Sequence, residues 1–229
     1  MSCILHIETS TNVCSVSLSE NGQSVYKRVN LEGPSHASVL GEFVEDVVSF
    51  ADSHALKLDA VAISEGPGSY TGLRIGTSMA KGFCYGRNAK LISVSTLQLL
   101  CVPVLLEKEL PDDAWLCPMI DARRMEVYTA IYDRSLRCVC DVHAQVVNSD
   151  FLAQLDANRP LYFFGNGAEK CKEILAAPNH FFLDGVLPLA ENMMPLAEKA
   201  LAQDKIKDVA YFEPLYLKDF IGSKPKKII

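Results

Sequence analysis

A chain of 229 residues, 49% hydrophobic and 22% charged, can bury a sizeable core without help from disulfides or metal. Its net charge of −6 and pI near 5.4 argue against a nucleic-acid binder of the electrostatic kind, so any RNA role would be indirect or shared with a partner. Eight cysteines without CxxC or zinc-ligand spacing, an N-terminus without a basic leader and no apolar run of membrane-spanning length predict a cytoplasmic chain with reduced thiols.

Cys3 to Glu8 is a strand candidate that runs into the polar turn Thr9-Ser10-Thr11-Asn12. Val13 to Leu18 alternates apolar and polar residues, Asn21-Gly22 is the strongest short hairpin signal, and Ser24 to Val29 supplies the return strand. A long helix is predicted from Ser35 to His54, with Leu40, Phe43, Val44, Val47, Val48 and Ala51 at three-and-four spacing. The buried strand Ala60 to Ile63 then enters the turn Glu65-Gly66-Pro67-Gly68, and a second helix starts near Ser69 to Thr71 and runs to Gly86. Strand, glycine turn and helix start form the usual layout of an anion site, yet no Lys follows the glycines in the spacing of a nucleotide P-loop.

That second helix carries Gly72, Gly76 and Gly82 at interior positions, a cost of roughly 2–3 kcal/mol in helix propensity. Gly72, Gly76, Ala80 and Cys84 are four apart and form one ridge of small side chains that another backbone can approach closely. Together with Leu73, Ile75, Met79, Gly82 and Phe83 they span about 200° of a helical wheel, whereas packing on one sheet needs a stripe somewhat over 100°. The surplus predicts two packing partners. Either both faces are buried within this chain, or one of them meets something else.

Leu91 to Val94 is the next strand, a helix follows from Ser95 or Thr96 towards Leu106, and Pro103 to Asp113 reads as a linker. Beyond it the order recurs. Leu116 to Asp121 is an apolar strand ending in an acid, as Ile4 to Glu8 is, and a four-residue turn, Ala122 to Met125, precedes the strand Glu126 to Asp133. Arg137 to Val142 is a further strand, Ser149 caps a short helix, and Pro160 to Phe164 is a buried strand entering Gly165-Asn166-Gly167. A helix from Ala168 to Leu175, a strand at Phe181 to Leu183 and a helix from about Pro188 to Leu201 complete the pattern. The duplication is one of topology, with little residue identity. It divides the chain into units at 1–106 and 107–204, with residues from about 205 to 229 packing back on the first. Two α/β halves leave a cleft between them, where small ligands commonly bind.

Ile4-Leu5-His6-Ile7-Glu8-Thr9-Ser10, the run Gly66-Pro67-Gly68-Ser69-Tyr70-Thr71-Gly72-Leu73-Arg74-Ile75-Gly76, and Asp121-Ala122-Arg123 with Glu126-Val127-Tyr128 closely resemble one family. It is the bacterial TsaB (YeaZ) family of tRNA threonylcarbamoyladenosine biosynthesis. The late segment Pro214-Leu215-Tyr216-Leu217-Lys218 also resembles that family's C-terminal pattern. The resemblance spans nearly the whole chain and is most specific in residues 1–100. It implies an actin-like, Hsp70-like (ASKHA) fold of two duplicated α/β halves. It also implies a non-catalytic scaffold that dimerises with a catalytic TsaD-type paralogue through the first two helices. A TsaE-type ATPase belongs to the same pathway, tRNA is met only indirectly, and a homodimer is expected in isolation. The interface so implied contains His36, Leu40, Phe43, Val47, Gly72, Leu73, Gly76 and Ala80. The catalytic paralogue holds a metal with a His-xxx-His pair on its first long helix. Here Leu40 stands four residues after His36, and His54 is too far along the helix to substitute, so no catalytic or metal residue is assigned.

Candidate phosphate contacts come from three turns. Thr9 and Ser10 sit where kinases of this fold place hydroxyls around a nucleotide; the alternative is a turn held by its own side-chain hydrogen bonds. Arg123, beside Arg124, can hold a phosphate or carboxylate, or pair with Glu126 or Asp133. Gly165 and Gly167 can donate backbone N–H groups or form a plain turn. No cofactor is required on this reading, and ATP or ADP at the complex interface is the one candidate. The rival functions are a small-molecule or acyl kinase of the same fold, which the missing glycine in the second turn counts against, and a glycoprotease-like metalloenzyme. The latter lacks a Gly-x-Ser-x-Gly elbow and a His-Glu-x-x-His helix. Lys218, Lys224, Lys226 and Lys227 mark a tail that either solubilises the chain or touches RNA or an acidic partner.

Overall fold

The computed structural model describes residues 2–33, 36–148, 151–152, 155–156 and 158–218. Strands β1 (Cys3–Glu8), β2 (Cys14–Glu20), β3 (Gln23–Asn30), β4 (Ala60–Gly66) and β5 (Lys90–Ser95) form one sheet in the order β3-β2-β1-β4-β5. Strands β6 (Trp115–Asp121), β7 (Glu126–Asp133), β8 (Cys138–Val146), β9 (Leu161–Phe164) and β10 (His180–Leu183) form the other, in the order β10-β9-β6-β7-β8. Taken from β8, the second order repeats the first strand for strand. Pairing sense repeats too: β1–β2 and β2–β3 are antiparallel and β1–β4 and β4–β5 parallel, as β6–β7, β7–β8, β6–β9 and β9–β10 are in turn. This is the pair of duplicated α/β halves that the resemblance implies for an actin-like, Hsp70-like chain. Asn21 (φ 50°) and Gly22 (φ 75°) both take left-handed backbone at the β2–β3 turn, as a two-residue primed hairpin requires.

Helices α1 (His36–Ser53) and α2 (Tyr70–Arg87) cover one face of the first sheet, where Leu40, Val44, Ala80 and Cys84 meet Leu5, Ile7 and Val16. Ser69 caps α2, its side chain accepting from Gly72 N–H. Helix α3 (Thr96–Glu107) lies between the two sheets. Leu99 packs with Ile4, Ala62 and Ile92 of the first, while Leu97, Leu100 and Val104 pack with Leu116 and Phe164 of the second. A helix buried on both sides has to be apolar all round, which is how its sequence reads. Pro103 therefore lies inside α3 and not in a linker; burial on two sheets outweighs the roughly 3 kcal/mol that an interior proline costs a helix.

The helices after β9 are shorter than their sequence suggests. Residues Glu169–Cys171 form a 3-10 turn before α4 (Lys172–Leu175), and Ala190–Met193 form another before α5 (Met194–Ala202). Met193 and Ala197 pack with Ile4, Ala60 and Ile92, so the span 107–204 ends in a helix seated on the first sheet. A strap, residues 205–218, then wraps the first half: Lys207 bridges to Leu91 at the β5 edge, and Phe212 enters the α1/α2 core. Ala210 O accepts from Lys81 Nζ at 3.0 Å, and Leu215 N–H donates to Glu65 O at 2.6 Å. The helix cap read at Ser149, the helix start at Ser35 and the lysines at 224, 226 and 227 lie outside the described residues.

Candidate functional site in the cleft between the halves

A cleft of about 570 Å³ opens between the two sheets. Its walls are residues 10–12 of the β1–β2 turn, residues 67–71 at the start of α2 and residues 121–124 of the β6–β7 turn, with strap residues 215–218 at the rim. The duplication brings the two turns face to face, but they are built differently.

The first turn is welded to α2. Thr9 is 3% exposed, and its Oγ1 donates to Gly72 O at 2.7 Å. A Cβ on Gly72 would stand 2.0 Å from Thr9 O, and one on Gly76 2.4 Å from Thr9 Oγ1. The glycine ridge thus faces this chain's own turn, which corrects its assignment to a partner surface. His36, Leu40, Val47, Leu73 and Ala80 are buried as well, and of the expected interface residues Phe43 alone stays partly exposed. His36 serves the same turn, its Nε2–H donating to Thr11 O at 2.6 Å, so α1 pins it from the other side. Among the described residues no group of three or more His, Cys, Asp or Glu side chains could hold a metal ion. Thr9, turned away from the cleft, is not placed to contact a phosphate, whereas Ser10 lines the cleft wall.

Glu8 lies beneath this turn, fully buried. It accepts from Ser10 N–H at 2.5 Å and from the Ser64 hydroxyl. Burial pushes its carboxyl up to about 7, against the opposing pull of hydrogen bonds from Ser10 and Thr9.

The second turn stands open and is held by a cation. Lys170 Nζ donates to Asp121 Oδ1 and, at 2.7 Å each, to the carbonyls of Arg124 and Glu126. Asp121 also accepts from Arg123 N–H at 2.9 Å. Arg123 (φ 72°) and Arg124 (φ 53°) take left-handed backbone, and both line the cleft. The acids expected to pair with them are engaged elsewhere, Glu126 with Lys218 and Asp133 with Arg137. Gly165 and Gly167 are packing residues: a Cβ on Gly165 would meet Met119 O at 2.4 Å, and Gly167 N–H already donates to Met119 O at 3.0 Å. That donor is not free for a phosphate.

Sequence reasoning passed over Lys170 and left the contacts of the strap's tip unassigned. Tyr216 packs against Tyr70 in a tilted pair with ring centroids 4.8 Å apart, and the Arg74 guanidinium lies 4.3 Å over the Tyr70 ring. Lys218 crosses the cleft to Glu126 and lies 5.8 Å over the Tyr128 ring. The resemblance at 214–218 pointed to this segment without saying what it touches.

A cleft between two duplicated α/β halves raises the question of a magnesium nucleotide. Such a ligand needs a solvated carboxylate for the metal and free backbone donors for the phosphates. Here Glu8 is buried, Asp121 is neutralised by Lys170 and the Gly167 donor is used, so the residues present do not fit it. Among the described residues no helix is long and apolar enough to cross a membrane.

Residues 31–220 match the family of TsaD, tRNA N6-adenosine threonylcarbamoyltransferase. The chain is 28% identical to the tRNA threonylcarbamoyladenosine biosynthesis protein TsaB of Escherichia coli K12, over 96% of each chain. It is 26% identical to the protein of the same name from Bacillus subtilis 168, over 75% of this chain and 74% of that one. The solved structure of YeaZ from Pseudomonas aeruginosa superposes with a TM-score of 0.79 at 27% identity, covering 95% of this chain and 100% of that one. Ethanolamine utilization protein EutJ from Carboxydothermus hydrogenoformans, at 9% identity and a TM-score of 0.52 over 86% and 90% of the two chains, shares the fold alone. With a family match across most of its length and the Escherichia coli TsaB aligned over 96% of each chain, the chain belongs to the threonylcarbamoyltransferase family, in its TsaB (YeaZ) branch, within the tRNA threonylcarbamoyladenosine pathway.

Proposed function

We propose that this chain is a non-catalytic scaffold of threonylcarbamoyladenosine formation and acts by docking on a catalytic TsaD-type paralogue. The observation that carries the reading is the state of the two acids that end the duplicated first strands. Glu8 is buried under hydrogen bonds and Asp121 is tied to Lys170, so neither carboxylate is free to handle a metal-bound substrate. The same observation speaks against the small-molecule kinase.

The docking surface shifts outward from the glycine ridge. Val39 and Phe43 of α1, with Ile75, Met79 and Phe83 of α2, are apolar and only partly buried. Gly82 is on the exposed side of α2, where an added Cβ would meet nothing within 4 Å. Glycine there costs the helix about 0.8–1.0 kcal/mol without any steric need inside the chain. Close approach by another backbone supplies the need, and the same face serves a homodimer when the paralogue is absent.

Gly82→Leu separates folding from docking. Leu favours a helix over Gly, so thermal stability should rise by roughly 0.5–1 kcal/mol, while co-purification with the paralogue falls at least about tenfold. Undiminished capture would remove the exposed side of α2 from the interface.

A further inference from the structure

The second turn holds cations that the fold does not use. Arg123 and Arg124 line the cleft, and the acids beside them, Asp121 and Glu126, are committed to Lys170 and Lys218. Across the cleft mouth stand the tilted pair Tyr70 and Tyr216, with the Arg74 guanidinium laid over Tyr70. On a molecule of net charge −6, this mouth sets guanidinium groups beside aromatic rings where neighbouring carboxylates are already neutralised.

We propose that this mouth, Arg123 and Arg124 on one wall and Tyr70 with Tyr216 on the other, is a direct contact site for the phosphodiester backbone of RNA. The proposal rests on the pathway reading above, which makes tRNA the RNA at hand. Guanidinium forks match phosphate oxygens bidentately, and aromatic faces accept unstacked bases without regard to sequence. The acidic remainder of the surface repels a polyanion, so contact is confined to this mouth and is weak and salt-dependent. A free mononucleotide offers the same phosphate chemistry, but the buried Glu8 and the Lys170-bound Asp121 leave its magnesium without a ligand.

The test uses the full-length chain and a fluorescently labelled, unmodified tRNA transcript, with anisotropy read across a salt series. Wild type should bind at low salt. Arg123→Gln/Arg124→Gln should weaken binding about tenfold or more and reduce the slope of log K against log salt by about 2, one for each lost phosphate contact. Tyr216→Ala should weaken binding at unchanged slope. Capture of the catalytic paralogue should be the same for all three proteins, which separates this site from the docking face. No binding by wild type, an unaltered salt slope in the arginine variant, or displacement of the tRNA by magnesium-ADP would each overturn the proposal.

Discussion

The β1–β2 turn and the β6–β7 turn occupy equivalent places in a duplicated topology, yet one has become core and the other surface. At the first, Thr9 is clamped between two glycines of α2, His36 fixes Thr11 from α1, and Glu8 is sealed beneath. At the second, no long helix among the described residues closes over the turn, and Lys170 gathers its carbonyls and its acid while the arginines remain in solvent. Strand order and pairing sense repeat in both halves. What happens at the strand ends is free to diverge, because it depends on which helix lies nearby and how closely it can approach.

Three changes would break or sharpen that contrast. The largest effect belongs to Gly76→Leu, which drives a side chain into Thr9 Oγ1 and should unfold the protein or cost more than about 4 kcal/mol in a denaturant titration. A stable variant would mean that the first turn leaves α2 readily and that the ridge is a surface after all. Next is Glu8→Gln. With the folded carboxyl raised to about 7 from an ordinary 4.5, the folded protein keeps a proton that the unfolded chain gives up between those values. Wild-type stability therefore falls as pH rises through that window, and glutamine has no such proton to lose. The two proteins should be nearly equal below about pH 4 and differ by on the order of 3 kcal/mol in favour of the variant at pH 8. Parallel pH profiles would show Glu8 to be solvated. The smallest effect is expected for Lys170→Met, about 1–2 kcal/mol, with faster amide exchange at residues 123–126 and none added at residues 9–10. Equal loosening of both turns would deny that they are built independently.

Much of the fold was legible without coordinates. Alternation marked β2, the Asn21-Gly22 pair marked its turn, and the recurrence of an apolar strand ending in an acid revealed the two halves. The site was less so. Helical spacing grouped Gly72, Gly76, Ala80 and Cys84 on one side of α2 and showed too wide an apolar arc for a single sheet, but left open whether the second partner belonged to this chain or another. For Gly72 and Gly76 it is Thr9, more than sixty residues upstream. Gly165 and Gly167 looked like phosphate donors for the same reason: a glycine's sequence shows that something comes close, not what.

The sequence by itself determined the architecture, the branch of the family and the want of a second metal ligand after His36, because these depend on local periodicity and on residue type at fixed spacing. Only the tertiary structure decided which glycines are needed inside the chain and which meet nothing in it, and that Lys170 reaches Asp121 across 49 positions. Those outcomes are set by what stands opposite in space, where a close backbone or a neutralising charge can come from any distance along the chain.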